Sequence, residues 1–181
     1  MRTITHQGMT FEERFTPAQI QEAVTHLAQR NNHDSQGRQP LFICVLNGAF
    51  VFAADLMRQV SLDCRITFVR LRSYEGTATT GQITELIGLS EDVYHRDVIV
   101  VEDIVDTGNT MHYFKHKLEE NGATSVRVAS LLFKPDALQR EDARPDYIGF
   151  EVPKHFCIGY GLDLDGLCRN LDAIYTLKQN K

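Results

Sequence analysis

The chain alternates between short apolar runs and stretches with helical spacing. Leu41–Leu46 (LFICVL) and residues 98–101 (VIVV) are unbroken apolar runs, the pattern of strands covered on both faces. Residues 65–71 and 126–133 also read as strands and 84–89 as a short one. Residues 147–152, 156–160 and 173–177 read as weaker strands. Thr16-Pro17-Ala18-Gln19 predicts a helix start, with an N-cap, a proline at the first helical position and a capping-box Gln. Ile20, Val24, Leu27 and Ala28 follow at helical spacing. Asn47-Gly48 breaks the first apolar run, and 49–60 reads as a helix. A third helix begins near Thr110, turns Met111, Phe114 and Leu118 to one face and stops at Asn121-Gly122. Residues 73–82 (SYEGTATTGQ) are small and polar and read as a flexible loop. Residues 1–14 show no clear period and read as a loose arm or a short strand. Strands alternating with helices predict an α/β fold with a mostly parallel central sheet flanked by helices.

Length and charge narrow this picture. With 181 residues the chain is expected to be one domain spanning 1–181. Nineteen Lys+Arg against 24 Asp+Glu leave a net charge of −5, which argues against nucleic acid as a partner. A local anion site stays open, because backbone amides build one without net charge. No apolar stretch is long enough to span a membrane, and residues 1–16 have no apolar core of a secretory signal. Cys44, Cys64, Cys157 and Cys168 form no C-x-x-C pair and read as free thiols of a cytoplasmic protein.

The chemistry concentrates in residues 98–111 (VIVVEDIVDTGNTM). A buried strand runs into Glu102 and Asp103, and Asp106-Thr107-Gly108-Asn109-Thr110 then feeds a helix. In open parallel sheets, ligands sit outside the carboxyl ends of strands. Free amides, the Thr107 and Thr110 hydroxyls and the helix dipole favour a phosphate there, and Gly108 lets the backbone approach it. Carboxylates beside a phosphate site suit a phosphorylated sugar, with Glu102 and Asp103 on ribose hydroxyls. The same residues also fit an acidic turn in which Asp106 caps the helix, and the pattern alone leaves both readings open. His112 and His116 have the i, i+4 spacing of metal ligands, but no H-E-x-x-H glutamate accompanies them, so they read as a solvated helix face.

Segment 98–111 resembles the phosphoribosyl-pyrophosphate (PRPP) signature of type I phosphoribosyltransferases. Four further blocks, in the right order, resemble the hypoxanthine-guanine phosphoribosyltransferase family. These are Leu46-Asn47-Gly48-Ala49-Phe50, Ser73-Tyr74, VASLLFK ending at Lys134, and FCIGYGLDLDGLCR from Phe156 to Arg169. The resemblance implies the type I fold, with a small hood subdomain made from the N- and C-terminal segments. It implies Mg2+-dependent transfer of a phosphoribosyl group from PRPP to hypoxanthine or guanine in purine salvage, by a homodimer or homotetramer. Asp106 matches the general base at purine N7. Glu102 and Asp103 match the ribose-diol pair, one of them through Mg2+ as an option, and residues 107–110 match the 5-phosphate cradle. Asn47, Gly48 and Arg169 match pyrophosphate contacts, and Asp163 matches a metal ligand. Lys134 matches the donor to the purine 6-oxo group, Phe156 the stacking aromatic, and Cys157 a backbone reader of the purine edge. Ser73 and Tyr74 match a mobile catalytic loop. The family also implies a cis peptide between Leu46 and Asn47.

Asn47 departs from the family's usual lysine, Cys168 from its usual aromatic, and Asp165-Gly166 is atypical, which leaves the geometry around Arg169 open. A xanthine-preferring enzyme is the nearest alternative. A regulator that binds PRPP only as a signal is a more distant one.

Overall fold

The computed structural model describes residues 2–73 and 83–178. Two sheets organise them. The larger has six strands: β3 (Leu41–Leu46), β4 (Arg65–Ser73), β5 (Ile83–Ile87), β6 (Asp97–Val105), β7 (Ser125–Phe133) and β8 (Tyr147–Glu151). Their order is β5-β4-β3-β6-β7-β8, with every pair parallel except β4–β5. Helices α1 (Pro17–Asp34) and α2 (Phe50–Met57) cover one face, where Ile20, Val24, Leu27, Phe52 and Leu56 pack on Phe42, Cys44, Ile99 and Val101. Helix α3 (Asn109–Glu120) covers the other with Met111, Phe114 and Leu118 against Ile43, Val98, Val100 and Val128. Leu41 to Cys44 and Val98 to Val101 are all fully buried, as strands sandwiched by helices require.

The start of α1 follows its sequence signature. The Thr16 side chain accepts from the Gln19 amide, and the Gln19 side chain accepts from the Thr16 amide. Such a cap is worth about 1 kcal/mol.

The second sheet is antiparallel and joins the two ends of the chain. Its order is β1-β2-β10-β9, from β1 (Thr3–His6), β2 (Met9–Phe15), β9 (Cys157–Ile158) and β10 (Ile174–Leu177). Of the two readings of the N-terminal segment the strand holds, doubled: β1 and β2 form a hairpin. Strand β6 also runs four residues past the apolar run at 98–101 and carries both carboxylates within the sheet. The peptide bond between Leu46 and Asn47 is cis. All four cysteines are free, with Cys44 and Cys157 buried. No helix of the described residues is long and apolar enough to cross a membrane.

Candidate active site

Chain order puts β4 on one side of β3 and β6 on the other, so the sheet has its topological switch between β3 and β6. A crevice opens there at the carboxyl ends of the strands. Asn47 and Gly48 leave β3 on one side, and Glu102 and Asp103 end β6 on the other. These four residues, with Asp106, Thr107, Gly108, Thr110, Asp163 and Arg169, line one cavity of about 440 Å³. The packing is close. A Cβ on Gly48 would lie 1.5 Å from Asp103 Oδ2, so any side chain there would have to displace the carboxylate.

Register places the next pair. Val105 of β6 lies beside Phe133 of β7, and the Lys134 amide donates to the Val105 carbonyl at 3.0 Å. Asp106 and Lys134, the next residues on the two strands, therefore leave the sheet side by side. Lys134 Nζ lies 2.6 Å from Asp106 Oδ2. The lysine is buried to 9% exposure, not a solvated surface charge, while the Asp106 side chain stays half-exposed. The helix-capping reading of Asp106 fails. The N-cap of α3 is Gly108, at φ 82° and with no side-chain cap. A Cβ on Gly108 would stand 2.9 Å from Leu138 Cδ1 and 3.0 Å from Ala143 Cβ. The amides that begin α3 therefore face the cavity without a competing side-chain oxygen from Asp106, as an anion site requires. Thr107 Oγ1 accepts from the Asn109 amide at 3.4 Å, and Asn109 Oδ1 accepts from Arg140 Nε at 3.4 Å, on the outer side of the helix.

Two carboxyls next to each other in a crevice strain the apo protein. Burial pushes Glu102 well above the usual carboxylate range, and the neighbouring Asp103 charge adds to the effect. Burial raises Asp103 as well, though its bond with Glu102, the Ile104 amide and the charge of Arg169 pull it back. A carboxyl raised by folding binds more protons in the folded than in the unfolded chain. Its effect is to lower stability as pH climbs from the ordinary carboxylate value, about 4.3, through the raised one. In protein free of divalent cations and substrate, Tm is expected to fall as pH rises from about 4.5 towards neutrality, and Glu102→Gln to flatten that slope and raise Tm at pH 7. Thermal melts of both proteins across that range decide it. Equal slopes would mean that the pair carries no such strain.

Asp163 and Arg169 close the far wall. Arg169 Nη2 lies 2.7 Å from Asp163 Oδ1, and Arg169 Nη1 donates to the Gly161 carbonyl at 2.7 Å. The atypical Asp165-Gly166 has a geometric reason. Leu164 and Leu167 exchange amide hydrogen bonds, and the two residues between them have φ 51° and 83°. They form a tight turn needing positive φ at both centres, which Asp-Gly favours. The Gly166 amide donates to Asp163 Oδ2 at 2.6 Å, so the turn fixes the carboxylate. Cys168 also takes positive φ, 70°.

Cys157 stands near the Asp106–Lys134 pair. Burial pushes its thiol up to about 11, Lys134 acting to lower it and Asp106 to raise it. Phe156 is half-exposed at 44%, tilted at 6.4 Å from Phe11, so it presents a ring to solvent and is not core. Ser73 closes β4, and Tyr74 lies outside the described residues, as does the rest of 74–82. One structural residue escapes the sequence reading. Gly161, at φ 100°, sits so close behind the β3 turn that a Cβ would lie 2.0 Å from the Gly48 carbonyl oxygen. The Gly-Tyr-Gly punctuation at 159–161 was the available signal.

Comparison with known proteins gives a consistent result. Residues 16–165 match the phosphoribosyl transferase domain family. The chain is 35% identical over 166 residues to a hypoxanthine-guanine phosphoribosyltransferase of Streptococcus thermophilus, covering 91% of this chain and 92% of the relative. It is 36% identical over 169 residues to one of Mycobacterium bovis, covering 90% and 83%. The crystal structure of a hypoxanthine phosphoribosyltransferase from Staphylococcus aureus superposes with a TM-score of 0.88 at 32% identity, covering 92% of this chain and 91% of that one.

Proposed function

The chain belongs to the hypoxanthine-guanine phosphoribosyltransferases, within the phosphoribosyl transferase domain family, and from that membership we propose how its residues divide the work. The enzyme transfers the phosphoribosyl group of PRPP to a 6-oxopurine, giving a purine nucleoside 5′-monophosphate and pyrophosphate in purine salvage. In the step itself purine N9 forms a bond to ribose C1. The C1–oxygen bond breaks with its electron pair going to pyrophosphate, and the N7 proton passes to Asp106.

The observation that carries this assignment is the Asp106–Lys134 pair at 2.6 Å. Purine N7 and O6 lie side by side on one edge of the base. A carboxylate and an ammonium held side by side match a protonated N7 and a 6-oxo group. Lys134 has donors and no acceptor, so it satisfies a 6-oxo group and opposes the 6-amino group of adenine. Phe156 offers its exposed ring as a stacking face, and the backbone of Cys157 reads the purine edge. The amides and hydroxyls of Thr107, Gly108, Asn109 and Thr110 hold the 5-phosphate, and Glu102 and Asp103 bind the ribose diol. Asn47, Gly48 and Arg169 receive pyrophosphate, the Arg169 fork suiting paired oxygens. The family's loop role falls to Ser73 and Tyr74, the latter outside the described residues.

The donor set fits Mg2+, which takes oxygen ligands and retains substrate phosphates and waters. Glu102 is buried and Asp103 beside it partly buried, and the two adjacent carboxyls favour a cation. Asp163 keeps lone pairs beyond its bonds to Arg169 and Gly166. Glu102, Asp103 and Asp163 would hold the Mg2+, which when bound would supply charge neutralisation of the leaving group. We further propose a single 1–181 domain, its hood being the antiparallel sheet, and an assembly of two or four copies, which light scattering on purified protein would count.

The test is an absorbance assay with PRPP and Mg2+, offering hypoxanthine, guanine, xanthine and adenine separately. Turnover of hypoxanthine or guanine is expected, with adenine rejected. Turnover of xanthine alone would move the specificity, and PRPP binding without turnover of any base would favour a PRPP sensor. Lys134→Met is expected to lower kcat/KM for hypoxanthine by about 10–100-fold, the worth of a charged hydrogen bond of about 1.5–3 kcal/mol. It should narrow the hypoxanthine-to-adenine ratio at the same time. An unchanged ratio would remove Lys134 from base selection.

A further inference from the structure

We propose that His112, His116 and Asp142 form a binding site for a zinc-class divalent cation, separate from the PRPP crevice. The two histidines stand one turn apart on α3, their rings 4.6 Å centroid to centroid. The missing acidic partner comes from elsewhere in the chain. A 3-10 turn at Glu141–Ala143 brings Asp142 against the helix. His112 Nδ1 lies 2.6 Å and His116 Nε2 3.0 Å from one atom, Asp142 Oδ2. The three donor atoms all lie within 4.8 Å of one another. Donors around one tetrahedral zinc, with bonds near 2.0 Å, stand about 3.3 Å apart. Small side-chain rotations bring the three to that spacing.

The donor chemistry selects the ion. Two imidazole nitrogens and one carboxylate oxygen suit Zn2+ and its neighbours, not Mg2+ or Ca2+, which want oxygen alone. Three protein ligands at the surface leave the fourth position to water or to a ligand from outside. The surroundings are built to hold the donors. The non-ligating Nδ1 of His116 faces Glu119 Oε2 at 3.6 Å, on the side where zinc-bound histidines commonly meet a carboxylate. Lys115 Nζ donates to the Asp142 carbonyl at 2.8 Å and fastens the turn to the helix.

The position gives such an ion leverage on the fold. Ala143, in the same turn, closes over Gly108 at the start of α3. A cation at this site ties the first two turns of α3 to the segment that packs against Gly108. Binding only the folded state, it stabilises the protein by mass action.

The test uses the chelator-stripped full chain in excess Mg2+, so that carboxylate-only sites are filled, and titrates Zn2+ against a chromophoric indicator. One Zn2+ per chain is expected, with Tm rising in step. Outer-shell partners alone are worth about 10–100-fold in metal affinity, so His116→Gln and Asp142→Asn should each weaken binding by at least about tenfold. Both changes are at exposed positions and preserve side-chain size. With Co2+, the bound ion should show a ligand-field spectrum with no thiolate charge-transfer band. Equal affinity in wild type and variants, no saturable binding, or a thiolate band placing the ion on a cysteine would each overturn the proposal.

Discussion

Asp106→Asn is expected to lower kcat by about 10²–10⁴-fold with hypoxanthine, the range of a positioned general base, while binding PRPP nearly as wild type does. Asparagine matches the carboxylate in shape and still offers an oxygen towards N7. It does not accept the N7 proton, so the bond to N9 forms without relief of the charge that develops on the purine. The side chain is half-exposed and asparagine has its shape, so the fold is expected to survive the change. The substitution also takes the anion away from the buried ammonium of Lys134, whose Nζ lies 2.6 Å from it. Some of the loss is therefore shared between the two residues, and a double-mutant cycle with Lys134→Met measures how much. Steady-state kinetics and equilibrium binding of PRPP on the same preparation decide the matter. A kcat within threefold of wild type would take the proton-transfer role from Asp106, and a parallel loss of PRPP binding would make its role one of assembling the site.

How much of this was legible beforehand differs by residue. The buried strands β3 and β6 were plain because unbroken apolar runs have few other solutions in a soluble chain. The carboxylate loop was plain because small residues and hydroxyls before a helix are an anion site by backbone chemistry alone. The β1–β2 hairpin was hidden. Strand β2 alternates Met9, Phe11, Glu13 and Phe15, and a charge at an inward position breaks the apolar period. Glu13 is tolerated there because the Arg2 amide and guanidinium both donate to it, at 3.1 and 2.7 Å, across the hairpin. The Asp106–Lys134 contact depends on the β6–β7 register, which one strand's pattern does not specify. The third member of the His112–His116 cluster is 26 residues from His116, beyond the reach of any spacing rule. Local chemistry is readable from the chain, whereas pairings made by topology are not.

Gly161→Ala is expected to damage both the fold and the site, because it combines two costs that Gly166 and Gly48 carry singly. Its φ of 100° lies where side-chain-bearing residues are strained, at about 1–3 kcal/mol. Its added Cβ would also stand 2.0 Å from the Gly48 carbonyl oxygen, backbone that has no rotamer to yield. The turn bearing Gly48 has no room to retreat, because Gly48 itself is pressed against the Asp103 carboxylate. The Gly161 carbonyl meanwhile holds Arg169 Nη1 at 2.7 Å, so displacing Gly161 moves the arginine too. A loss of about 3 kcal/mol or more is expected, lowering Tm by roughly 6–12 °C in a chain of this size, with KM for PRPP raised. Gly166→Ala isolates the first cost: φ is 83°, but nothing lies within 4 Å of the new Cβ, so Tm should fall by only a few degrees and KM should hold. Gly48→Ala isolates the second, since Gly48 is not at positive φ, and its clash with Asp103 should fall chiefly on substrate binding. Thermal melts and PRPP saturation curves on the three variants test this ordering. If Gly161→Ala behaves like Gly166→Ala, the contact between the two loops is slack and Arg169 is positioned by Asp163 alone. If all three raise KM equally, glycine strain, not the stacked backbone of 48 and 161, governs the shape of the pyrophosphate pocket.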